Sequence, residues 1–387
     1  MRRGRLSSLC VYLLSLWSLY VVTTTLLFPG FSNYPAKCWC SDENFCIPRF
    51  MPLHPVLQSK YFDCDLFSYI RDFKLRDADK WADQETIKWT TDLHIVTASS
   101  SDHFNLSRGL LKHLRTVHPE NQIVFYDLGL TIDQQKEVEE LCNVVYRRFP
   151  FERYPQHVSD LMNFSWKVLI LAEELKQNRP FLYLDASVRF TNLYRLNQLL
   201  EMVRRYEIEP YTSLRNVEHS IYATTAPGFY KYIPLPKTIS QMYRVDSAAA
   251  QLVVPVNYTR EIMKWSVLCA LTSDCIAPLG HSVECVFNSK DTYTKYQHCH
   301  RYDQTLFCAL TARKLLGSEH YAYRYNYTFH PYAQSSIDNV HSILEVRRDR
   351  YYQVARMLRL ERNDLVNSTL KQKCTIEQEL LRAWHSI

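Results

Sequence analysis

The chain has 387 residues, 47% of them hydrophobic, and a formal charge of +6. That length and apolar content suffice for one large core. The small positive excess comes with no basic run or recognition motif, which excludes a nucleic-acid binder. Glycine totals 7, with no Gly-x-Gly-x-x-Gly and no Walker loop, so a glycine-rich phosphate cradle is excluded. No Gly-x-Ser-x-Gly elbow is present either, against an α/β-hydrolase.

In chain order, residues 1–5 form a basic end with Arg2, Arg3 and Arg5, and residues 6–28 then run apolar without a charge to Pro29-Gly30. At 1.5 Å per residue the run spans roughly 30 Å, about a bilayer core. The positive-inside rule keeps the short end in the cytosol. The expectation is a signal-anchor of a single-pass type II membrane protein, with the rest of the chain lumenal. A cleaved signal peptide fits less well, because Leu26-Leu27-Phe28 is bulky where a cleavage site needs small residues.

Of the 12 cysteines, Cys10 lies in the anchor and eleven lie beyond it. None has paired C-x2-C zinc spacing, so disulfides of an oxidising compartment are expected, with the pairing open. The odd number leaves one thiol free or bridging two chains, hence a possible disulfide-linked dimer. Sequons at Asn105, Asn163, Asn257, Asn326 and Asn367 fit a lumenal N-glycosylated domain.

Residues 29–91 mix cysteine, proline and charge without periodicity and are expected as a stem with one disulfide-pinned subdomain. From Asp92 the pattern becomes regular. Apolar runs at 93–98, 122–127, 143–148 and 181–185 are predicted strands. Segments 106–117, 131–142 and 166–175 have helical spacing, with Thr131 as a cap. Strands alternating with helices imply an α/β fold with a mostly parallel sheet covered on both faces. Ligands then sit at the carboxyl ends of strands, which singles out Ser99 to Asp102, Asp127, and Asp185 to Ser187. Further on, 220–224 and 251–255 are predicted strands, and 258–270 and 305–315 helices. Residues 92–346 make the predicted domain, and 347–387 a charged tail of helical pattern.

The sharpest chemical feature is Tyr183-Leu184-Asp185-Ala186-Ser187-Val188-Arg189. Transfer of a sugar from a nucleotide-sugar requires stabilisation of a departing diphosphate, usually by a divalent cation on an Asp-x-Asp motif after such a strand. Hard oxygen ligands suit Mg²⁺ or Mn²⁺. Here Ser187 replaces the second Asp, Asp185 remains a metal candidate, and Arg189 or Lys167 would help neutralise phosphate. The plain alternative is that Asp185 only ends a strand. In His300-Arg301-Tyr302-Asp303-Gln304, Asp303 is either a helix-start acid or a catalytic carboxylate. His330 and His341 are candidates to complete a metal shell, although 14 histidines make an ordinary role the commoner one.

Val96-Thr97-Ala98, Tyr126-Asp127-Leu128-Gly129-Leu130, Phe149 to Pro155, Trp166-Lys167 and Leu184-Asp185-Ala186-Ser187-Val188-Arg189 follow one another in that order. Together they resemble an uncharacterised, invertebrate-rich family of type II membrane proteins, a domain of unknown function grouped with the GT-A glycosyltransferases. Cys275-Ile276-Ala277-Pro278 and His300 to Gln304 look like its later landmarks, and the Asp-Gln pair looks like one in glycogenin-like retaining transferases. The resemblance implies a GT-A-like nucleotide-diphospho-sugar transferase fold. It further implies Asp185 and Ser187 as the metal and diphosphate motif, Lys167 toward the donor phosphates, Thr97 and Ala98 at the nucleotide, and Asp303 as the catalytic carboxylate.

The resulting expectation is a Golgi glycosyltransferase of the hexosyltransferase kind. It moves a sugar from a nucleotide-sugar to a lumenal glycan, glycoprotein or glycolipid, with Mn²⁺ or Mg²⁺ as cofactor. The alternatives are a non-catalytic lumenal or cell-surface carbohydrate-binding protein on the same fold, or another nucleotide-using transferase.

Overall fold

The computed structural model describes residues 38–47, 59–84, 93–117, 121–190, 196–214, 216–287, 290–316 and 346–348. The expected anchor, His330, His341, Asn326, Asn367 and nearly all of the tail lie outside them. No described helix is long and apolar enough to cross a membrane.

The chain enters through a two-residue hairpin, β1 (Trp39–Cys40) and β2 (Glu43–Asn44), followed by α1 (Phe67–Asp72). Then come β3 (His94–Ser99), α2 (Phe104–Val117), β4 (Ile123–Asp127), α3 (Ile132–Glu139), β5 (Val144–Arg148), α4 (Ser165–Leu175), β6 (Phe181–Leu184) and β7 (Val188–Phe190). The second half adds α5 (Leu196–Arg204), β8 (Tyr211–Ser213), β9 (Asn216–Ser220), α6 (Lys237–Met242), β10 (Arg244–Asp246), β11 (Ala250–Val253), α7 (Asn257–Ala270), α8 (Ser273–Ile276), α9 (Tyr302–Leu316) and β12 (Val346–Arg348).

Six strands form the central sheet in the order β5-β4-β3-β6-β11-β8. The β5/β4, β4/β3 and β3/β6 pairs are parallel, and β6/β11 and β11/β8 are antiparallel. The sheet is therefore mixed and mostly parallel, as the alternating pattern predicts. Chain order reverses at β3, which has β4 on one side and β6 on the other. In such sheets the crevice opens at the carboxyl ends of the strands flanking that reversal. Asp185 directly follows β6.

Both faces are covered. One core joins Leu110, Leu111 and Leu114 of α2, Val138 of α3 and Leu199 and Val203 of α5 to Ile95, Phe125 and Leu182. The other joins α4, α7 and α9 to Val96, Val124 and Tyr183. Helix α4 is buried on nearly every side, as an all-round apolar sequence requires. It therefore carries Lys167 into the interior. Glu174 of the same helix accepts from His94 at 3.0 Å and Tyr126 Oη at 2.6 Å and pairs with Arg147, tying α4 to β3, β4 and β5.

Three regions differ from expectation. Residues 38–47 and 59–84, expected as stem, pack into the second core through Phe45, Ile47, Phe62, Ile70 and Leu75. Disulfides Cys38–Cys46 and Cys40–Cys64 fasten them. A buried ion pair of Glu43 with Lys264 joins them to α7, where burial raises the Glu43 carboxyl and the ammonium opposes it. The strand predicted at 220–224 is displaced: the strand ends at Ser220 and 222–224 is a 3₁₀ turn. The Ser220 hydroxyl accepts from Ala223 N–H at 3.1 Å, and Thr225 donates to the Ile221 carbonyl, local bonds that compete with a ladder. At the tail, Val346–Arg348 is a strand antiparallel to β7 rather than helix.

The remaining described disulfides include Cys269–Cys275 and Cys285–Cys299. Cys308 is a free thiol but buried, so among the described residues the leftover cysteine is not placed to bridge two chains.

Candidate functional site

Residues Asp185 to Val188 form a turn between β6 and β7, with Val188 N–H bonded to the Asp185 carbonyl at 2.9 Å. Asp185 N–H bonds Ala249 O at 2.7 Å, which ties the turn to the strand beside it. The Lys167 ammonium, two residues into α4, stands 3.0 Å from Asp185 Oδ1 and 3.0 Å from Asp303 Oδ2. Three residues distant in sequence thus form one buried Asp–Lys–Asp chain. Lys167 and Asp303 side chains are 3% and 7% exposed, against 20% for Asp185, so the chain of charges meets the crevice at Asp185.

The charges set one another's titration. Burial pulls the Lys167 ammonium down, but the Asp185 and Asp303 carboxylates override it and hold it raised. Burial raises Asp303, with Lys167 opposing. The Tyr183 hydroxyl, raised by burial and by both carboxylates, donates to Asp185 at 3.2 Å. Asp303 Oδ2 has the Lys167 ion contact but no directed hydrogen bond. With both carboxylates ionised the trio carries one net negative charge, which suits a cation or positive charge developing on a substrate.

Aromatic rings enclose Lys167: its ammonium lies 5.2 Å from the Phe164 ring centre, 5.8 Å from Trp166 and 5.4 Å from Tyr183. Nothing in the sequence signalled Phe164 or Tyr302. Each holds a left-handed backbone, with φ of 57° and 35°.

The other expected site residues are placed differently. Arg189 gives its guanidinium to the carbonyls of Ala186 (2.8 Å), Val188 (2.7 Å) and Leu106 (3.0 Å), bracing the turn against α2. Thr97 is fully buried and donates to Leu184 O at 2.8 Å; Ala98 is buried beside it. Asp127 is spent on Gly129 and Leu130 N–H at 2.7 and 2.6 Å and on Tyr146 Oη at 2.6 Å. Ser187 is partly exposed next to Asp185. Asn163 is buried: its amide donates to His157 O and its Oδ1 accepts Ser165 N–H at 2.9 Å, so a glycan there is incompatible with the fold. Asn105 and Asn257 are exposed.

For a divalent cation, the available donors are the partly exposed Asp185 carboxylate and the adjacent Ser187 hydroxyl. One carboxylate completed by water and phosphate oxygens is an ordinary shell for Mg²⁺. Lys167 competes for Asp185, and no group of three His, Cys, Asp or Glu gathers among the described residues. The donor set fits a cation held jointly with a phosphorylated ligand, and not a cation held by protein alone.

Several solved structures resemble the chain. The galactosyltransferase LgtC, in complex with donor and acceptor sugar analogs, is 14% identical with a TM-score of 0.27, over 58% of this chain and 95% of that one. Mouse xyloside xylosyltransferase 1, apo form, is 10% identical at 0.30, over 57% and 81%. The bifunctional glycosyltransferase WbbM is 12% identical at 0.28, over 59% and 45%. No curated protein matches the chain. Residues 38–172, which include Thr97, Ala98 and Lys167 and end before Asp185, match the model of the family described as a protein of unknown function, DUF1647.

Proposed function

We propose that this protein is a GT-A-like glycosyltransferase that moves a sugar from a nucleotide-sugar to a hydroxyl of a glycan, glycoprotein or glycolipid. The observation that carries the reading is the Asp185–Lys167–Asp303 chain at the carboxyl end of β6, beside the point where strand order reverses. Asp303 stabilises positive charge at C1 of the donor sugar or orients the acceptor hydroxyl. The bond from C1 to the diphosphate breaks and its electron pair leaves with the nucleoside diphosphate. The acceptor oxygen bonds C1 and its proton passes to the leaving phosphate or water. Lys167 fixes both carboxylates and moderates their charge. When bound, Mn²⁺ or Mg²⁺ held by Asp185 and Ser187 would neutralise the diphosphate. The disulfides and the exposed sequons at Asn105 and Asn257 support the Golgi lumen as the compartment, with residues 6–28 as the expected anchor.

The test is binding of a nucleotide-sugar panel to the purified full chain, with and without Mn²⁺, beside Asp185→Ala. Mn²⁺-strengthened binding of one donor, lost in the variant, supports the reading with its cation. Binding indifferent to Mn²⁺ assigns the phosphate charge to protein groups. No binding to folded protein overturns the transferase reading in favour of a lumenal carbohydrate-binding domain.

A further inference from the structure

Cys142 is disulfide-bonded, and no other described cysteine can be its partner. Cys38–Cys46, Cys40–Cys64, Cys269–Cys275 and Cys285–Cys299 are paired with one another, and Cys308 is a free buried thiol. Of the 12 cysteines that leaves Cys10 and Cys374, both outside the described residues. Cys10 stands in the apolar run 6–28, expected in the bilayer and away from the oxidants of a lumen. Cys374 stands in the charged C-terminal tail.

Cys142 is partly exposed and lies between α3 and β5, the strand at one edge of the central sheet. The tail also meets the domain at β12, which pairs antiparallel with β7, Arg348 opposite Val188 and Val346 opposite Phe190. Val188 directly follows Ser187, so β12 backs the strand into which the Asp185 turn runs. A two-stranded pair of three residues per strand is marginal by itself. A second attachment beyond β12 restricts the tail and raises the effective concentration of β12 at β7. Reach is no obstacle. Residues 349–373, fully extended, span roughly 80 Å. β5 and β6 are three strand spacings apart in the sheet, about 14 Å.

We propose that Cys142 and Cys374 form a further disulfide, which fastens the C-terminal tail to the edge of the central sheet and so keeps β12 docked on β7. Its formation takes two protons and two electrons from the two thiols. They pass to an exchangeable disulfide of a lumenal oxidoreductase, which becomes a dithiol. The bond makes the segment expected as an appended tail a closed part of the domain. Nothing in it depends on the transferase reading.

The test is peptide mapping of the purified full chain, alkylated under native conditions, denatured and cut with trypsin without reduction. Cys142 falls in peptide 137–147, Cys374 in 374–382 and Cys10 in 6–37. A species joining 137–147 to 374–382, lost on reduction, is the expected result. Peptide 137–147 joined to 6–37, joined to its own copy from a second chain, or alkylated in the wild type overturns the pairing. Amide exchange over residues 186–190 is then compared between wild type and the double variant Cys142→Ser/Cys374→Ser, which leaves no new thiol to mispair. Exchange about tenfold faster in the folded variant supports the docking role. Unchanged exchange overturns that role.

Discussion

Phe164 and Tyr302 sit at the starts of the two helices that carry Lys167 and Asp303, and their ring centres lie 6.4 Å apart. Left-handed backbone at a non-glycine residue costs on the order of 1–3 kcal/mol, so each is held there by its surroundings. Phe164 stacks toward Lys167, and Tyr302 Oη reaches His281 O at 3.4 Å. Phe164, with Trp166 and Tyr183, covers the buried ammonium, and Tyr302 packs against Phe164 from the start of α9.

Phe164→Asn keeps a residue type that tolerates this backbone and removes the ring. The account expects Lys167 to be nearly inert to acetic anhydride in the wild type and labelled several-fold faster in the variant, read by peptide mass spectrometry. Equal labelling would show that Phe164 does not cover it.

Lys167→Met leaves two carboxylates facing each other without the shared cation. Breaking a buried pair from one side costs about 3–5 kcal/mol. Asp303 already has a raised pKa in the folded state, and without Lys167 it rises further. A raised acid pKa gives stability that is present at low pH and lost as pH climbs through the folded value. The deficit of the variant is therefore largest above neutrality and shrinks toward pH 4. Urea melts across that range check it, and a pH-independent deficit would contradict the ion-chain geometry.

Gly109→Ala sets two effects against each other. Alanine favours a helix interior by about 1 kcal/mol. A Cβ there would come within 2.4 Å of Arg189 Nη2, and the guanidinium is anchored by three carbonyls. Overpacking of about 1–3 kcal/mol wins, and the variant is expected to melt lower than wild type. In an Arg189→Ala background the penalty should vanish and the helix gain remain.

Asp246→Asn should stabilise the protein at high pH. The carboxyl shifts from 3.8 to about 7 on folding, a rise worth roughly 4 kcal/mol at full ionisation. Its contribution is complete below about pH 4 and gone above about pH 7, so the gain of the variant appears at pH 8 and fades on acidification. Thermal melts at pH 5 and pH 8 test this; a gain of equal size at both would place the carboxyl in water.

Long apolar runs made the parallel half of the sheet readable, because β3, β4 and β6 are buried on both faces. The register of Thr97, buried and bonded to Leu184, follows from the same pattern, yet nothing in it showed that the hydroxyl is used up on the backbone. Asp303 was visible as an acid at a helix start. Its partnership with Lys167 was not, since the two meet only once α4 and α9 are packed. Asn163-Phe164-Ser165 shows how one triplet serves two patterns: a sequon in the sequence, it works in the fold as a side-chain bond to the start of α4. In the segment expected as stem, the disulfide-pinned subdomain was legible from its cysteines, and its packing against the rest of the domain was not. Its apolar residues follow no sustained period, because its own elements are short and disulfides and packing on α7 hold the rest in place.

The most direct measurement is nucleotide-sugar turnover by the purified full chain beside Asp303→Asn, with Mn²⁺ present and absent. The account predicts hydrolysis or transfer from one donor, reduced about 10²-fold or more in kcat for the variant with donor Kd nearly unchanged. Turnover equal in wild type and variant would contradict Asp303 as the carboxylate that stabilises C1 or orients the acceptor. No turnover of any donor by folded protein would contradict the transferase itself.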